Sequence, residues 1–156
     1  MGNRASRKVT SVAQIGESSS QNCVALRVRR MSRIITRIYD DALRPLGLTA
    51  SQFTLLTIIA QQDGVTASEI GFALDIEKST LSRNLKRLES LGMMRMDPPA
   101  GRHGRGLHLT EAGEDAIMEA YPIWKNTQER VEDVLGGHSR ETFDEMLANA
   151  ERLVAA

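Results

Sequence analysis

Apolar residues recur at helical spacing along most of this chain, and the places where the spacing breaks divide it into elements. Between Asn22 and Arg44 they are Leu26, Met31, Ile34, Ile35, Ile38, Ala42 and Leu43, a band wide enough to bury more than one side of a long helix that Pro45 and Gly47 end. Thr49 and Gln52 have capping-box spacing, and Phe53, Leu56, Ile59 and Ala60 make the next segment a core helix broken at Asp63-Gly64. Thr66 and Glu69 repeat the box before Ile70, Ala73 and Leu74. A tight turn at Asp75 or a neighbour then leads into a helix from about Glu77, with Leu81, Leu85, Leu88 and Leu91 on one stripe and Gly92 as its stop.

Beyond Gly92 the period changes. Met93 to Met96, a Pro/Gly/Arg stretch from Pro98 to Gly106, and Leu107 to Leu109 read as a hairpin with a basic tip. Thr110 caps a long helix reaching about Leu135, with Ala116, Ile117, Ala120, Tyr121, Ile123 and Trp124 on its apolar side and Pro122 expected to bend it or end its first half. After Gly136-Gly137, Ser139 starts a last helix striped by Phe143, Met146, Leu147, Ala150, Leu153 and Val154. Residues 1–21 are polar and Ser-rich with no apolar period, and read as a disordered tail; Met1-Gly2 with Ser6 fits a myristoylation pattern, which a plain or basic tail outweighs. Two short helices followed at once by a hairpin make a winged helix, so the expected class is mainly α with a small β wing.

Opposite its leucine stripe, the second helix of the pair carries Ser79, Arg83, Lys86 and Arg87, joined by Thr80 and Ser82. Hydroxyls and guanidinium groups on one exposed face suit the edges of bases in the DNA major groove, while the remaining cations suit phosphates. A protein-docking surface would be apolar or aromatic at its centre.

Net charge is zero, with 20 Lys and Arg against 20 Asp and Glu, yet the charge is unevenly spread. Lys78, Arg83, Lys86, Arg87, Arg95, Arg102 and Arg105 make the middle basic, whereas acids dominate from Glu111 onward. The single cysteine, Cys23, excludes an intrachain disulfide. No apolar run approaches a membrane span and no signal-peptide core is present, so a soluble, cytoplasmic protein is expected. A Gly-rich phosphate loop and a nucleophile elbow are both missing, and His103, His108, His138 and Cys23 lack zinc-site spacing. The reading is therefore no enzyme, no cofactor and no metal, with the histidines exposed or facing DNA.

LTASQFTLLTIIA (Leu48 to Ala60), STLSRNLKRLESLGM (Ser79 to Met93) and LHLTEAG (Leu107 to Gly113), in that order, resemble the MarR (multiple antibiotic resistance regulator) winged-helix transcription factors. The resemblance implies a homodimer, its first and last helices interlocked, whose two winged helices read palindromic double-stranded DNA. An excess of apolar surface on the outer helices points the same way. The expected organisation is a tail (residues 1–21) and one domain (22–156), in which 48–110 form the DNA-binding core and 22–47 and 111–156 the dimerisation helices. In the wing, relatives carry Asp-x-Arg before the second strand. Alignment on Leu109-Thr110 places Gly101 and His103 at those positions, with Arg102 and Arg105 as substitutes in the minor groove and the bracing Asp missing.

Such a regulator, most simply a repressor, needs an input, and two remain open. One is a small aromatic or anionic inducer in a pocket lined by Met31, Ile35, Tyr39 and Phe53, residues that otherwise read as core. The other is Cys23, at the start of the first long helix, where the hydroperoxide-sensing branch of the family carries its reactive thiol; Arg27 and Arg37 stand where that branch has tyrosines. Cys23 as a small packing residue at a dimer seam is the plainer alternative.

Overall fold

A computed structural model of the chain describes residues 11–98 and 104–155. The chain divides after Thr36 into two compact units. The first holds α1 (Val12–Asn22) and most of α2 (Val24–Leu43). The second holds the end of α2, a 3-10 turn (Arg44–Leu46), α3 (Ala50–Gln61), α4 (Ala67–Ala73), α5 (Lys78–Ser90), β1 (Met94–Met96), β2 (Leu107–Leu109), α6 (Glu111–Leu135) and α7 (Ser139–Ala155).

The helix α1 corrects the expectation of a disordered tail for residues 12–21. It carries no buried residue, which is why apolar periodicity missed it. Local hydrogen bonds define it instead: the Ser11 side chain caps the Gln14 N–H, and the Ser20 hydroxyl and Asn22 amide donate to the carbonyls of Glu17 and Ser18. Residues 1–10, including Gly2 and Ser6, lie outside the described residues.

In the second unit the capping boxes form as read. Thr49 and Gln52 close the start of α3, and Thr66 and Glu69 the start of α4. Asp75 makes the turn between α4 and α5 at φ 49, the one positive φ outside glycine among the described residues, and Gly64 (φ 82) and Gly92 (φ 70) end α3 and α5. Leu43, Leu48, Phe53, Leu55, Leu56, Ile59, Ile70, Leu81, Leu85, Leu88, Met94, Leu107 and Ala120 form the core. Ala120 of α6 belongs to this core, and Ile117 and Trp124 pack against it. Trp124 packs on Phe53 with ring centroids 6.1 Å apart. Pro122 sits inside α6, which continues through it to Leu135.

The wing is a two-stranded antiparallel sheet in which Met94 pairs with Leu109, Arg95 with His108 and Met96 with Leu107. Its base is tied to the turn after α3: Gly64 N–H donates to the Leu107 carbonyl (3.0 Å), Leu107 N–H to the Val65 carbonyl (2.9 Å), and Thr66 bridges Gly106. The Thr110 N–H and hydroxyl donate to the carbonyls of Met93 and Gly92, so α6 starts directly against the end of α5.

Candidate nucleic-acid interface

The position of α5 follows from its two faces. Leu81, Leu85 and Leu88 are at most 4% exposed, and burial of each contributes about 1.5–3 kcal/mol toward holding the helix on the core. That leaves Ser79, Thr80, Ser82, Arg83, Lys86 and Arg87 exposed together on its outer side, as the pattern predicts. The Glu77 carboxylate caps the helix by accepting from the Ser79 N–H at 2.6 Å, and hydrogen bonds from Ser79 hold Glu77 below the usual carboxylate range. Arg83 lies along its own helix, its Nε donating to the Ser79 carbonyl (3.3 Å) and an Nη to the Thr80 hydroxyl (3.2 Å). Two of its donors are thereby engaged, which orders the guanidinium over the first turn and leaves its other N–H groups outward.

An open cleft of about 570 Å³ runs between α4 and α5. Ile76, Leu81, Leu85 and Met96 give it apolar walls, and Lys78, Lys86 and Arg105 bring three cations to it. Lys78 is a residue that the reading of the sequence left out of the site; it precedes the reading face by one position, and the cleft places it beside that face. Arg105 turns back along the wing, its guanidinium donating to the main-chain carbonyls of Asp97 and Met96. Arg102, His103 and Gly101 lie outside the described residues.

At the wing base, His108 overturns the expectation of an exposed or DNA-facing histidine. Its side chain is 15% exposed and stands between two carboxylates, with Nδ1 2.7 Å from Asp63 Oδ1 and Nε2 3.1 Å from Asp97 Oδ2. Hydrogen bonding to Asp97, then to Asp63, raises its pKa above the usual histidine value, against partial burial and the Arg95 charge. Asp97 is lowered in turn, chiefly by His108. The alternation of LHL is the one local signal, since it turns His108 away from the core that takes Leu107.

The residues considered for the input belong to different units. Met31 and Ile35 lie in the first unit, Tyr39 and Phe53 in the second. Phe53 is 4% exposed and belongs to the core. Tyr39 donates its hydroxyl to the Gln128 side chain, whose amide donates to Glu132 at 2.7 Å; burial, then the Glu132 charge, raises the Tyr39 pKa. Cys23 is exposed at the junction of α1 and α2, its Sγ accepting from the Leu26 N–H at 3.4 Å. Arg27 beside it donates to the carbonyls of Cys23 and Gln21 rather than to the sulfur.

Comparison with known proteins agrees with this geometry. The MarR family model matches residues 46–103, from the end of the 3-10 turn into the wing. The transcriptional regulator HosA of Escherichia coli O111:H- is 30% identical over 101 residues, which is 64% of this chain and 75% of HosA. The transcriptional repressor Mb2911 of Mycobacterium bovis is 26% identical over 76% of this chain and 86% of its own. Among solved structures, the M. tuberculosis transcriptional regulator MosR superposes with a TM-score of 0.74 at 32% identity, covering 84% of this chain and 97% of MosR. MosR in complex with DNA superposes equally well, with a TM-score of 0.73 at 31% identity over 85% of this chain and 98% of that one. With a helix-turn-helix, a two-stranded wing and regulators of this kind as its relatives, the chain belongs to the MarR family of winged-helix, DNA-binding transcriptional regulators.

Proposed function

We propose that the protein is a homodimeric repressor that reads a palindromic operator with α5 and is released by a small aromatic or anionic molecule. The observation that carries the DNA-reading part is the face of α5, where Ser79, Thr80, Ser82, Arg83, Lys86 and Arg87 are exposed together opposite a buried leucine stripe. Arg83 and the hydroxyls contact base edges; Lys86, Arg87, Arg105 and Arg102 contact backbone or minor groove. Two-fold symmetry sets the half-sites about ten base pairs apart, centre to centre.

Dimerisation is supported by apolar side chains that the second unit leaves uncovered: on α7, Phe143, Met146, Leu147, Leu153 and Val154 are 40–90% exposed, and Val134 near the end of α6 is 86% exposed. A contiguous apolar stripe of that kind marks an interaction surface. Among the described residues no helix is long and apolar enough to cross a membrane. Repression is the role that the name of the relative Mb2911 states.

The test is fluorescence anisotropy with duplexes from the DNA flanking the protein's own gene, at several salt concentrations. Specific binding should appear as a two-fold symmetric footprint and fall steeply with salt. Binding with no sequence preference, or none, overturns the reading. Running the protein and Cys23→Ser with and without an organic hydroperoxide separates the inputs: release of only the thiol-bearing protein replaces the small-molecule inducer with thiol sensing.

A further inference from the structure

The resemblance to relatives leaves the wing without its usual bracing aspartate, yet the wing base is held by a contact of another kind. His108 on β2 touches Asp97, just past the end of β1, and Asp63, in the turn between α3 and α4. These three residues tie both strands of the wing to the body of the reading domain at one point. Among the described residues no cluster of His, Cys, Asp or Glu is placed to hold a metal ion, so the trio is read as an ion-pair bridge.

We propose that His108, as an imidazolium clamped between Asp63 and Asp97, is the positioning residue of the wing, and that DNA affinity depends on the clamp being charged. This rests on the DNA-reading function proposed above.

The geometry itself calls for the charged form. A neutral imidazole has one N–H and one lone pair, so in either tautomer one ring nitrogen would turn a lone pair on a carboxylate oxygen. Only the imidazolium donates to both Asp63 Oδ1 at 2.7 Å and Asp97 Oδ2 at 3.1 Å. Space for the pair is reserved by Gly106, where a Cβ would stand 2.5 Å from Asp97 Oδ2 and 3.2 Å from His108 Nε2. Asp97 also receives Arg95 on its other oxygen at 3.4 Å, and Arg95 lies directly opposite His108 in the sheet. With His108 charged, Asp63, Asp97, Arg95 and His108 balance; with it neutral, the group carries a net negative charge at the base of a DNA-binding wing. Arg105, one residue before Gly106, takes its position from the Met96 and Asp97 carbonyls and would move with them.

The groups facing His108 are Asp63 from the turn, and Asp97 and Arg95 from the β1 side. The sign follows from them. The clamp is complete below the ordinary histidine value of about 6.5 and is lost as pH rises through a folded value above it. The Asp97 arm of the clamp persists into acid below the usual carboxylate range, because Asp97 is lowered.

Two measurements on the full chain test this. The first is NMR titration of the His108 ring in the free protein, for the protein itself and for Asp63→Asn. The second is anisotropy with own-gene flanking duplex at constant ionic strength, from about pH 6 to about pH 8.5, for the protein, His108→Gln and Asp63→Asn. The expected results are a midpoint above the ordinary value that falls in Asp63→Asn, and affinity dropping at least about threefold across the range in the protein but staying flat and weak in folded His108→Gln. A midpoint at or below the ordinary value, or wild-type affinity and pH dependence in His108→Gln, overturns the clamp. If the protein binds no duplex at any pH, the proposed function fails, and with it the coupling to DNA, while the NMR titration still decides whether the clamp exists.

Discussion

A Cβ placed on Gly113 would lie 2.0 Å from the Met93 carbonyl oxygen. The first turn of α6 is therefore pressed against the strand entry that follows α5, and the hydroxyl of Thr110 strengthens the junction by donating to the Gly92 carbonyl at 2.6 Å. No side chain fits there without moving backbone.

Gly113→Ala should accordingly destabilise the fold by about 1–3 kcal/mol, the usual cost of forcing a methyl into a packed site, although alanine is the better helix former. Urea denaturation measures it. An unchanged or raised midpoint would mean that α6 can slide away from Met93 freely.

Arg83→Ala should cost about 1–3 kcal/mol of affinity for the preferred operator and relax specificity at one base position. Arg87→Ala, as a phosphate contact, should weaken all sequences alike and reduce the salt slope by about one. Competition binding against randomised duplexes separates the two; equal, sequence-independent losses in both variants would remove Arg83 from base reading.

Leu147 is 61% exposed on the uncovered stripe of α7. A carboxylate there would be stranded in an apolar dimer interface, so Leu147→Glu should shift the protein toward monomer in sedimentation velocity and weaken operator binding with it. The second unit should stay folded, since that side chain supports no buried core. A variant that remains fully dimeric would exclude this stripe from the interface.

Acid should weaken the reading domain through its caps. The main-chain N–H and then the hydroxyl of Thr66 hold Glu69 below the usual carboxylate range. Its contribution is therefore present above the unfolded value of about 4.3 and disappears as pH falls through the lower folded value. Glu69→Gln should melt below the protein at about pH 7, and the gap should narrow as pH falls below about 4.3, followed by circular dichroism. A gap that is constant with pH would mean that the charge of Glu69 adds nothing to the cap.

Much of the fold around α5 was legible because its signals are local. Thr49 with Gln52, Thr66 with Glu69, Asp75 in its turn and Gly92 after α5 each act within about one helical turn. The alternation of leucines with hydroxyls and cations in α5 is likewise contained in one helix, and burying one face exposes the other. The helix at residues 12–22 escaped notice for the opposite reason: it buries nothing, so it leaves no period to read.

The sequence by itself determined the elements beyond Asn22, the winged-helix class and the composition of the exposed α5 face, because helix periodicity, caps and turn residues are properties of neighbours along the chain. Only the tertiary structure decided what His108 does, since Asp97 and Asp63 stand 11 and 45 residues away from it and meet it through strand register and the turn that Gly64 makes. It also decided that Phe53 is core against Trp124 and that Arg105 folds back onto β1. Contacts of that kind depend on how the chain returns on itself, and hydrophobic patterning constrains which faces are buried without specifying which polar groups meet across them.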